Sequence, residues 1–244
     1  MNNYKLTIEY DGTNYAGWQI QKNADTVQQK IIDAIEVILK ENVNLIGSGR
    51  TDAGVHALGQ VANFRTEKKI DEMKFQYSLN AVLPKDISIK NLESVGEDFH
   101  ARFDARSRSY IYLFSHGKSP FFEKYSLLMP SVNKINIDLL NRTSTYLLGE
   151  HDFTSLSKKN VELEEKKCTI TDIHWRRTHD KTIFYITANR FLHGMVRTIL
   201  GTLIYAAENN LGRNYFKELL NKKNREEAEE SVPSKGLFLY KVRY

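Results

Sequence analysis

The sequence predicts an α+β fold made of two successive halves, each with elements in the order β-α-β-β-α-β. Three observations predict it: short segments alternate apolar and polar residues, longer segments between them place apolar residues at helical spacing, and the order repeats in the second half. This is the order of the split, ferredoxin-like arrangement, in which two helices cover an antiparallel sheet of four strands. We expect one domain over residues 1–104, another over residues 105–244, and an active-site cleft between them.

The first half contains four strand-like and two helix-like segments. Alternation predicts strands at residues 4–10, 44–46, 60–65 and 86–95. Apolar residues at helical spacing predict helices over residues 26–41 and 71–82, the second stopped by Pro84. Thr26 and Gln29 stand at the positions of a capping box at the start of the first helix.

The second half is predicted from the order of its elements, because no residue-level repeat links the two halves. Its predicted strands are residues 108–115, 169–177, 182–188 and 236–243. Its predicted helices are residues 136–148, 191–208 and 213–222. Residues 115–133 and 150–167 have no strong periodicity, and we expect the second, charged stretch to be an exposed insertion.

Composition narrows the classes of function. The chain has 35 Lys and Arg against 30 Asp and Glu, and this net charge of +5 mildly favours a polyanionic partner. Cys168 is the only cysteine and the seven histidines are scattered, so we expect no disulfide and no metal centre. The glycine signatures of nucleotide and dinucleotide sites are missing from the sequence. We also expect a cytoplasmic protein without a membrane partner, because no apolar run has transmembrane length or the form of a signal peptide.

The most informative stretch is residues 47–64, G-S-G-R-T-D-A-G-V-H-A-L-G-Q-V-A-N-F. Its four glycines between apolar runs are typical of a shaped loop, because glycine permits positive φ and close approach of another backbone. Arg50 and Asp52 are two positions apart with Thr51 between them, and Ala53 and Gly54 leave little bulk beside the carboxylate, so a ligand can approach it. As a lone tetrapeptide, T-D-A-G is more often an aspartate that caps a turn beside a solvated arginine.

The longer string, G-S-G-R-T-D-A-G-V-H-A followed by G-Q-V and an aromatic residue, resembles the signature of the tRNA pseudouridine synthase A family. The resemblance implies an isomerase that converts uridine to pseudouridine in the anticodon arm of tRNA, at tRNA positions 38–40, with Asp52 as nucleophile. It implies no cofactor, since the reaction has no net redox change, and a homodimer with tRNA spanning both subunits. Residue types leave open whether the carboxylate attacks the sugar, attacks the base, or withdraws a proton on a glycal route.

The string F-H-A-R-F-D-A-R-S-R-S-Y-I-Y resembles a second segment of that family. The resemblance implies that Tyr110 stacks on the target uracil and takes part in proton transfer. We expect Arg106, Arg108 and Arg50 to bind the substrate, because arginines beside an aromatic platform suit the phosphates and unstacked bases of RNA. Without the resemblance, Tyr110 and Tyr112 fit one face of a half-buried strand.

The string N-R-F-L-H-G-M-V-R-T-I-L-G resembles the F-L-x-x-M-V-R-x-x-x-G helix of the family. His193 and Arg197 are four positions apart, which predicts that they share one helical face. A cation early in a helix is disfavoured by the helix dipole, so Arg197 indicates a nearby anion, which the resemblance identifies with the catalytic aspartate. Helix physics alone fits a solvated arginine equally well. Gly194 stands where many members carry a larger residue, which leaves the role of His193 open.

The closing string, V-P-S-K-G-L-F-L-Y-K-V-R-Y, resembles the family segment in which a glycine and a leucine line the uracil pocket. Here they are Gly236 and Leu237; by itself the string fits a strand that starts after a proline turn. The competing function is a non-catalytic RNA-binding or RNA-chaperone module, which gains nothing from Asp52 because phosphates repel a carboxylate. A glycosidase-like hydrolase would need two carboxylates beside the bond, and only one stands out.

Overall fold

The computed structural model describes residues 1–159 and 165–244. These residues form an α+β fold with mostly antiparallel sheets, as the sequence predicts. Contacts divide them into two compact units, the first made of Met1–Arg106 with Phe238–Tyr244 and the second of Ser107–Leu237. In these ranges, no helix combines the length and the apolar character that crossing a membrane requires.

The first unit has the predicted order of strands and helices. Its elements are β1 (Asn2–Tyr10), α1 (Val27–Leu39), β2 (Ile46–Gly47), β3 (His56–Thr66), α2 (Glu72–Val82) and β4 (Ile87–Val95). β1 pairs antiparallel with both β3 and β4, and β2 pairs antiparallel with β3. Alternation along β1 buries Tyr4, Leu6 and Ile8 on one face, which becomes the core side of the sheet.

β3 is longer than the sequence predicts. It begins at His56 rather than at residue 60, because Ala57 still pairs with Tyr10 of β1. The second part of the glycine-rich stretch is therefore a strand, and only residues 48–55 form a loop. The strand predicted at residues 60–65 is confirmed, and the prediction is wrong only for residues 56–59, because cross-strand pairing, which local glycine content does not report, extends the strand.

The start of α1 differs from the predicted capping box. Thr26 stands at the N-cap, but its side chain is fully buried and its Oγ1 has no hydrogen-bond partner. Gln29 donates from Nε2 to Oδ1 of Asp33, one turn further on, at 2.7 Å. The box is therefore not formed, and α1 depends on the burial of apolar side chains such as Ile31 and Ile35.

The second unit contains a four-stranded antiparallel sheet. Its elements are β5 (Ser107–Ser115), β6 (Leu127–Leu128), α3 (Pro130–Lys134), α4 (Ile137–Ser144), β7 (Gly149–Asp152), β8 (Lys167–Arg177), β9 (Lys181–Ala188), α5 (Met195–Glu208) and α6 (Arg213–Lys222). The sheet order is β5-β9-β8-β7, and β6 pairs in parallel with β5. The large side chains Tyr112, Phe114, Trp175 and Phe184 are buried in its core.

The stretch expected to be an exposed insertion is partly packed. Its first residues form β7, and Phe153 and Leu156 are completely buried. Ser155 Oγ donates to the carbonyl oxygen of Leu219 in α6 at 2.6 Å. The expectation is therefore wrong for residues 150–157, where the buried residues are too few to give a period, and residues 160–164 lie outside the described residues.

The closing strand, β10 (Leu237–Arg243), pairs in parallel with β3, with Phe238 opposite His56. Its contacts place residues 238–244 in the first unit, whereas the element order had assigned this strand to the second half. The two domains expected at residues 1–104 and 105–244 stay a prediction, because contacts report compactness and not independent folding.

Candidate active site

The loop that carries Asp52 is held by a buried glutamine of β3. Gln60 is completely buried; its Oε1 accepts a hydrogen bond from Ser48 Oγ at 2.7 Å, and its Nε2 donates to the carbonyl oxygen of Gly49 at 3.0 Å. The backbone N–H of Ser48 donates to the carbonyl oxygen of Val61 at 2.7 Å. Losing either partner would leave a buried polar group unsatisfied, so these bonds fix the beginning of the loop. They give the G-Q-V part of the motif a structural role.

A second loop, D-G-T-N-Y-A-G-W-Q, packs directly on the first. A Cβ on Gly12 would lie 2.0 Å from the carbonyl oxygen of Val55. A Cβ on Gly17, whose φ is +102°, would lie 2.5 Å from the carbonyl oxygen of Thr51. Only glycine permits these two approaches of backbone to backbone. These two glycines therefore support the loop that carries Asp52.

Arg50 and Asp52 are accessible, while the residue between them anchors the backbone. Thr51 is buried, and its hydroxyl lies 2.8 Å from the hydroxyl of Tyr10. Asp52 is half-buried, and Arg50 is exposed with its Nε donating to Oε1 of Gln19 at 3.2 Å. The loop thus presents a guanidinium and a carboxylate from one rigid turn.

His56 is a residue that the sequence pattern alone does not mark as functional. It is fully buried, and its Nδ1 lies 3.1 Å from both the backbone nitrogen of Gly12 and Oδ1 of Asp11. Its ring stacks on Phe238 with centroids 4.6 Å apart. His56 thereby joins the second loop and β10 to the strand that follows Asp52. The only indication of its role in the sequence is its position at the end of the T-D-A-G-V-H string.

Tyr110 and Tyr112 lie on the same face of β5 but have different surroundings. Tyr112 is completely buried, and its hydroxyl donates to the carbonyl oxygen of Pro233 at 2.8 Å. Burial raises the pKa of Tyr112 above its usual value, against the opposing charge of Arg197. Tyr110 is 9% exposed and meets Phe191 edge to face, with centroids 5.1 Å apart. Tyr112 is therefore a structural residue, whereas Tyr110 packs its ring against Phe191.

The two arginines before Tyr110 both reach the surface. Arg106 is exposed, and its backbone N–H donates to the carbonyl oxygen of Arg243 at 2.8 Å in the first unit. Arg108 is half-buried in β5 of the second unit, and its Nη1 donates to the carbonyl oxygen of Asn189 at 2.9 Å. Each can offer positive charge to a phosphate.

Arg197 lies early in its helix, as the sequence predicts, and the structure places it in the first turn. α5 begins at Met195 rather than at residue 191, because Gly194 at φ +70° precedes it. His193 therefore lies before the helix and is exposed, so the prediction that it shares a helical face with Arg197 is wrong. Arg197 Nε donates to the carbonyl oxygen of Val232 at 2.6 Å, which fixes the plane of the guanidinium.

The same helix packs against the chain just before Val232. Thr198 Oγ1 and Ser231 Oγ lie 2.7 Å apart. A Cβ on Gly201 would lie 2.0 Å from the carbonyl oxygen of Glu230, so only glycine fits there. The R-T-I-L-G part of the third motif, residues 197–201, is therefore the part of α5 that packs against residues 230–232.

Position 236 has no room for a side chain, so only glycine fits there. A Cβ there would lie 2.8 Å from both the carbonyl oxygen of Leu113 and Cε1 of Tyr112. Leu237, which follows, is buried. Within the second unit the structure therefore gathers Tyr112, Arg197 and Gly236 around residues 231–236, the segment whose consecutive carbonyl groups Arg197 and Tyr112 bind.

Metal-binding groups do not form a cluster in the part of the chain that the structure describes: no three His, Cys, Asp or Glu side chains are grouped there so that they could hold an ion. Cys168 is buried in β8, and burial raises the pKa of its thiol to about 11, which disfavours the reactive thiolate.

Comparison with known proteins agrees with the motifs. Residues 6–104 and 144–244 match the family model described as tRNA pseudouridine synthase. Relatives named tRNA pseudouridine synthase A are 41% identical over 244 residues in Acetivibrio thermocellus and 43% identical over 246 residues in Caldicellulosiruptor saccharolyticus; tRNA pseudouridine synthase A 2 of Clostridium perfringens is 40% identical over 244 residues. Each alignment covers 100% of both chains. A solved Cbf5-Nop10-Gar1 complex is more distant, at 14% identity and a TM-score of 0.38 over 82% of this chain and 44% of the other. The chain belongs to the tRNA pseudouridine synthase A family, whose members are isomerases that act on tRNA.

Proposed function

We propose that this chain isomerises uridine to pseudouridine in the anticodon arm of tRNA, at tRNA positions 38–40, with Asp52 as the nucleophile. The observation that carries the proposal is the construction of the Asp52 loop. Gln60 ties its beginning to β3, two glycines of a second loop pack on its backbone, and the carboxylate stays half-accessible. Such rigid support is what a positioned reactive group requires, and a turn-capping aspartate would not need it.

The reaction breaks the C–N glycosidic bond of uridine, turns the base and forms a C–C bond to the same sugar carbon. The base carbon that forms the new bond loses its proton, and the released ring nitrogen gains one, so atoms and electrons balance without a cofactor. Attack on the sugar, attack on the base and the glycal route all begin with a carboxylate at the position proposed for Asp52.

The other residues have supporting roles in the proposal. Tyr110 stacks on the target uracil and assists proton transfer, and Gly236 and Leu237 line the uracil pocket. Arg197 presents a fixed guanidinium to an anion during the reaction. Substrate phosphates are bound by the accessible side chains of Arg50, Arg106 and Arg108. The active form proposed is a cytoplasmic homodimer that binds the anticodon arm across both subunits.

The experiment uses the purified full chain and an unmodified tRNA, with pseudouridine read at every uridine by chemistry specific for that nucleoside. We expect product without an added cofactor and in the presence of a chelator. Asp52→Asn should form no product, yet bind tRNA within about threefold of the wild type, because phosphate contacts supply most of the affinity. Asp33→Asn, on the exposed face of α1, is the matched control and should be fully active.

Two results would contradict the proposal. Turnover of Asp52→Asn close to that of the wild type would remove Asp52 as the nucleophile. Tight tRNA binding by the wild type without any pseudouridine would favour the non-catalytic RNA-binding module.

A further inference from the structure

Residues 100–104 form a tight turn that displays two side chains. The backbone N–H of Asp104 donates to the carbonyl oxygen of His100 at 3.1 Å, and Asp104 Oδ2 accepts from the backbone N–H of His100 at 2.8 Å. The Nδ1 of His100 accepts from the backbone N–H groups of Arg102 and Phe103, both at 3.2 Å. His100 therefore closes the turn from inside, which directs the side chains of Arg102 and Phe103 outward.

The base of this turn is fixed to the first unit. Ala101 is completely buried; its N–H donates to Oδ1 of Asn63 in β3 at 2.9 Å, and its carbonyl oxygen accepts from the hydroxyl of Tyr244 at 2.8 Å. β3 and the residue that follows β10 thus hold the second residue of the turn. A side chain displayed from such a base loses little further freedom when it binds a partner.

Phe103 is 75% exposed at the tip of this rigid turn. The His100 ring lies against it with centroids 4.3 Å apart, and the Arg102 guanidinium carbon lies 5.6 Å from the ring centroid. Most of the phenyl surface remains in water, where it contributes nothing to the stability of the folded chain. A ring fixed in this way beside a cation has the form of a stacking platform.

We propose that Phe103 stacks on an unpaired base of the RNA substrate other than the uridine that is modified. The inference rests on the proposed function, since it assigns a further contact to the same RNA. The exposed residues that flank Phe103 in the chain are charged and not apolar: Arg102 and Arg106 can each face a phosphate, and Asp98 and Asp104 balance their charge. A stable protein interface buries about 800 Å² per partner around an apolar centre, and one ring among charged residues does not supply such a centre. A single base, by contrast, needs only one ring face and a nearby cation for its phosphate.

Phe103→Ala tests the platform, and Tyr77→Ala is its matched control, because Tyr77 is 78% exposed on α2 of the same unit. We expect Phe103→Ala to weaken tRNA binding by about 5- to 150-fold, the range that loss of one stacked base gives. The turnover number at saturating tRNA should be unchanged, and so should the salt dependence of binding, because no phosphate contact is removed. Tyr77→Ala should bind tRNA as the wild type does.

Phe103→Trp gives a direct readout of stacking. The two native tryptophans, Trp18 and Trp175, are buried, so emission from an exposed indole at position 103 can be separated from theirs. We expect tRNA to quench this emission and affinity to be retained or improved, whereas Tyr77→Trp should not be quenched.

The inference is overturned if Phe103→Ala binds tRNA as tightly as the wild type and tRNA does not quench Phe103→Trp. The isomerase proposal is unaffected by that result as long as the wild type forms pseudouridine. Loss of the dimer in Phe103→Ala, measured by sedimentation without RNA, would also overturn it and assign the ring to a protein interface. Failure of the wild type itself to modify tRNA is a separate result that contradicts the proposed function.

Discussion

Arg197 and Val232 are bound to each other twice. The side chain of Arg197 donates from Nε to the carbonyl oxygen of Val232 at 2.6 Å, and the backbone N–H of Val232 donates to the carbonyl oxygen of Arg197 at 3.2 Å. The guanidinium is consequently held in one plane by the chain segment that leads to Gly236. A lysine has no Nε–H beside its charge, so it cannot keep both the bond and the orientation.

Arg197→Lys should therefore lower the turnover number by about 100-fold, the cost of misplacing a group by about 1 Å. The dissociation constant for tRNA should stay within about threefold of the wild type, because lysine keeps the positive charge at position 197. Single-turnover kinetics and filter binding measure the two quantities. Arg176→Lys, at an exposed position of β8, is the control and should change neither. An equal loss in both quantities would mean that Arg197 holds a phosphate.

Tyr110→Phe and Tyr110→Ala should differ. Phenylalanine keeps the ring that meets Phe191 and removes only the hydroxyl, so turnover should fall while tRNA affinity stays unchanged. Alanine should also weaken binding, because base–aromatic stacking is worth about 1–3 kcal/mol. Tyr112→Phe is the control. It loses the hydrogen bond to Pro233, which should lower the free energy of unfolding by about 1 kcal/mol, and its turnover should be unchanged. If Tyr110→Phe turns over as fast as the wild type, the hydroxyl takes no part in proton transfer.

Gln60→Leu should destabilise the protein through the Asp52 loop. It removes the hydrogen bond that the Ser48 hydroxyl donates to Gln60 and the one that the Gly49 carbonyl oxygen accepts from it, and removing one partner of a buried hydrogen bond costs about 1–3 kcal/mol. We expect the unfolding free energy to fall by about 2–4 kcal/mol in urea titration, with a loss of turnover in the remaining folded protein. Gln29→Leu, which breaks only the bond to Asp33 on the surface of α1, should cost less than about 0.5 kcal/mol. An unchanged urea midpoint for Gln60→Leu would show that the loop does not depend on this amide.

Gly17→Ala should be far more harmful than its size suggests. The new Cβ would meet the carbonyl oxygen of Thr51 at 2.5 Å at a φ of +102°, and strain of this kind costs about 1–3 kcal/mol. We expect a lower melting temperature and reduced turnover, because relief of the clash moves the backbone beside Asp52. Gly96→Ala meets no atom within 4 Å and should melt as the wild type does. Equal melting temperatures and equal activities for the two variants would contradict this account of the support.

The sequence allowed the residues proposed for chemistry to be named, because each lies in a string long enough to be specific. The string around Asp52, the Y-x-Y pair and the start of α5 are local patterns. Their neighbours in the fold are not local: Gln60 acts on Ser48 across a strand pairing, and Arg197 acts on Val232 from 35 residues away. Spacing cannot report such contacts, and for this reason the support of the site was not predicted.

Local periodicity determined the fold class and the order of elements in the first unit, since alternation and helical spacing depend only on near neighbours in the chain. Tertiary structure decided the rest. Pairing with β1 extended β3 to His56, burial of Thr26 displaced the capping box, and pairing with β3 drew β10 into the first unit. In each case, burial and hydrogen bonding with a distant segment outweighed the local preference, because a local propensity is worth only a fraction of the energy gained from pairing and packing.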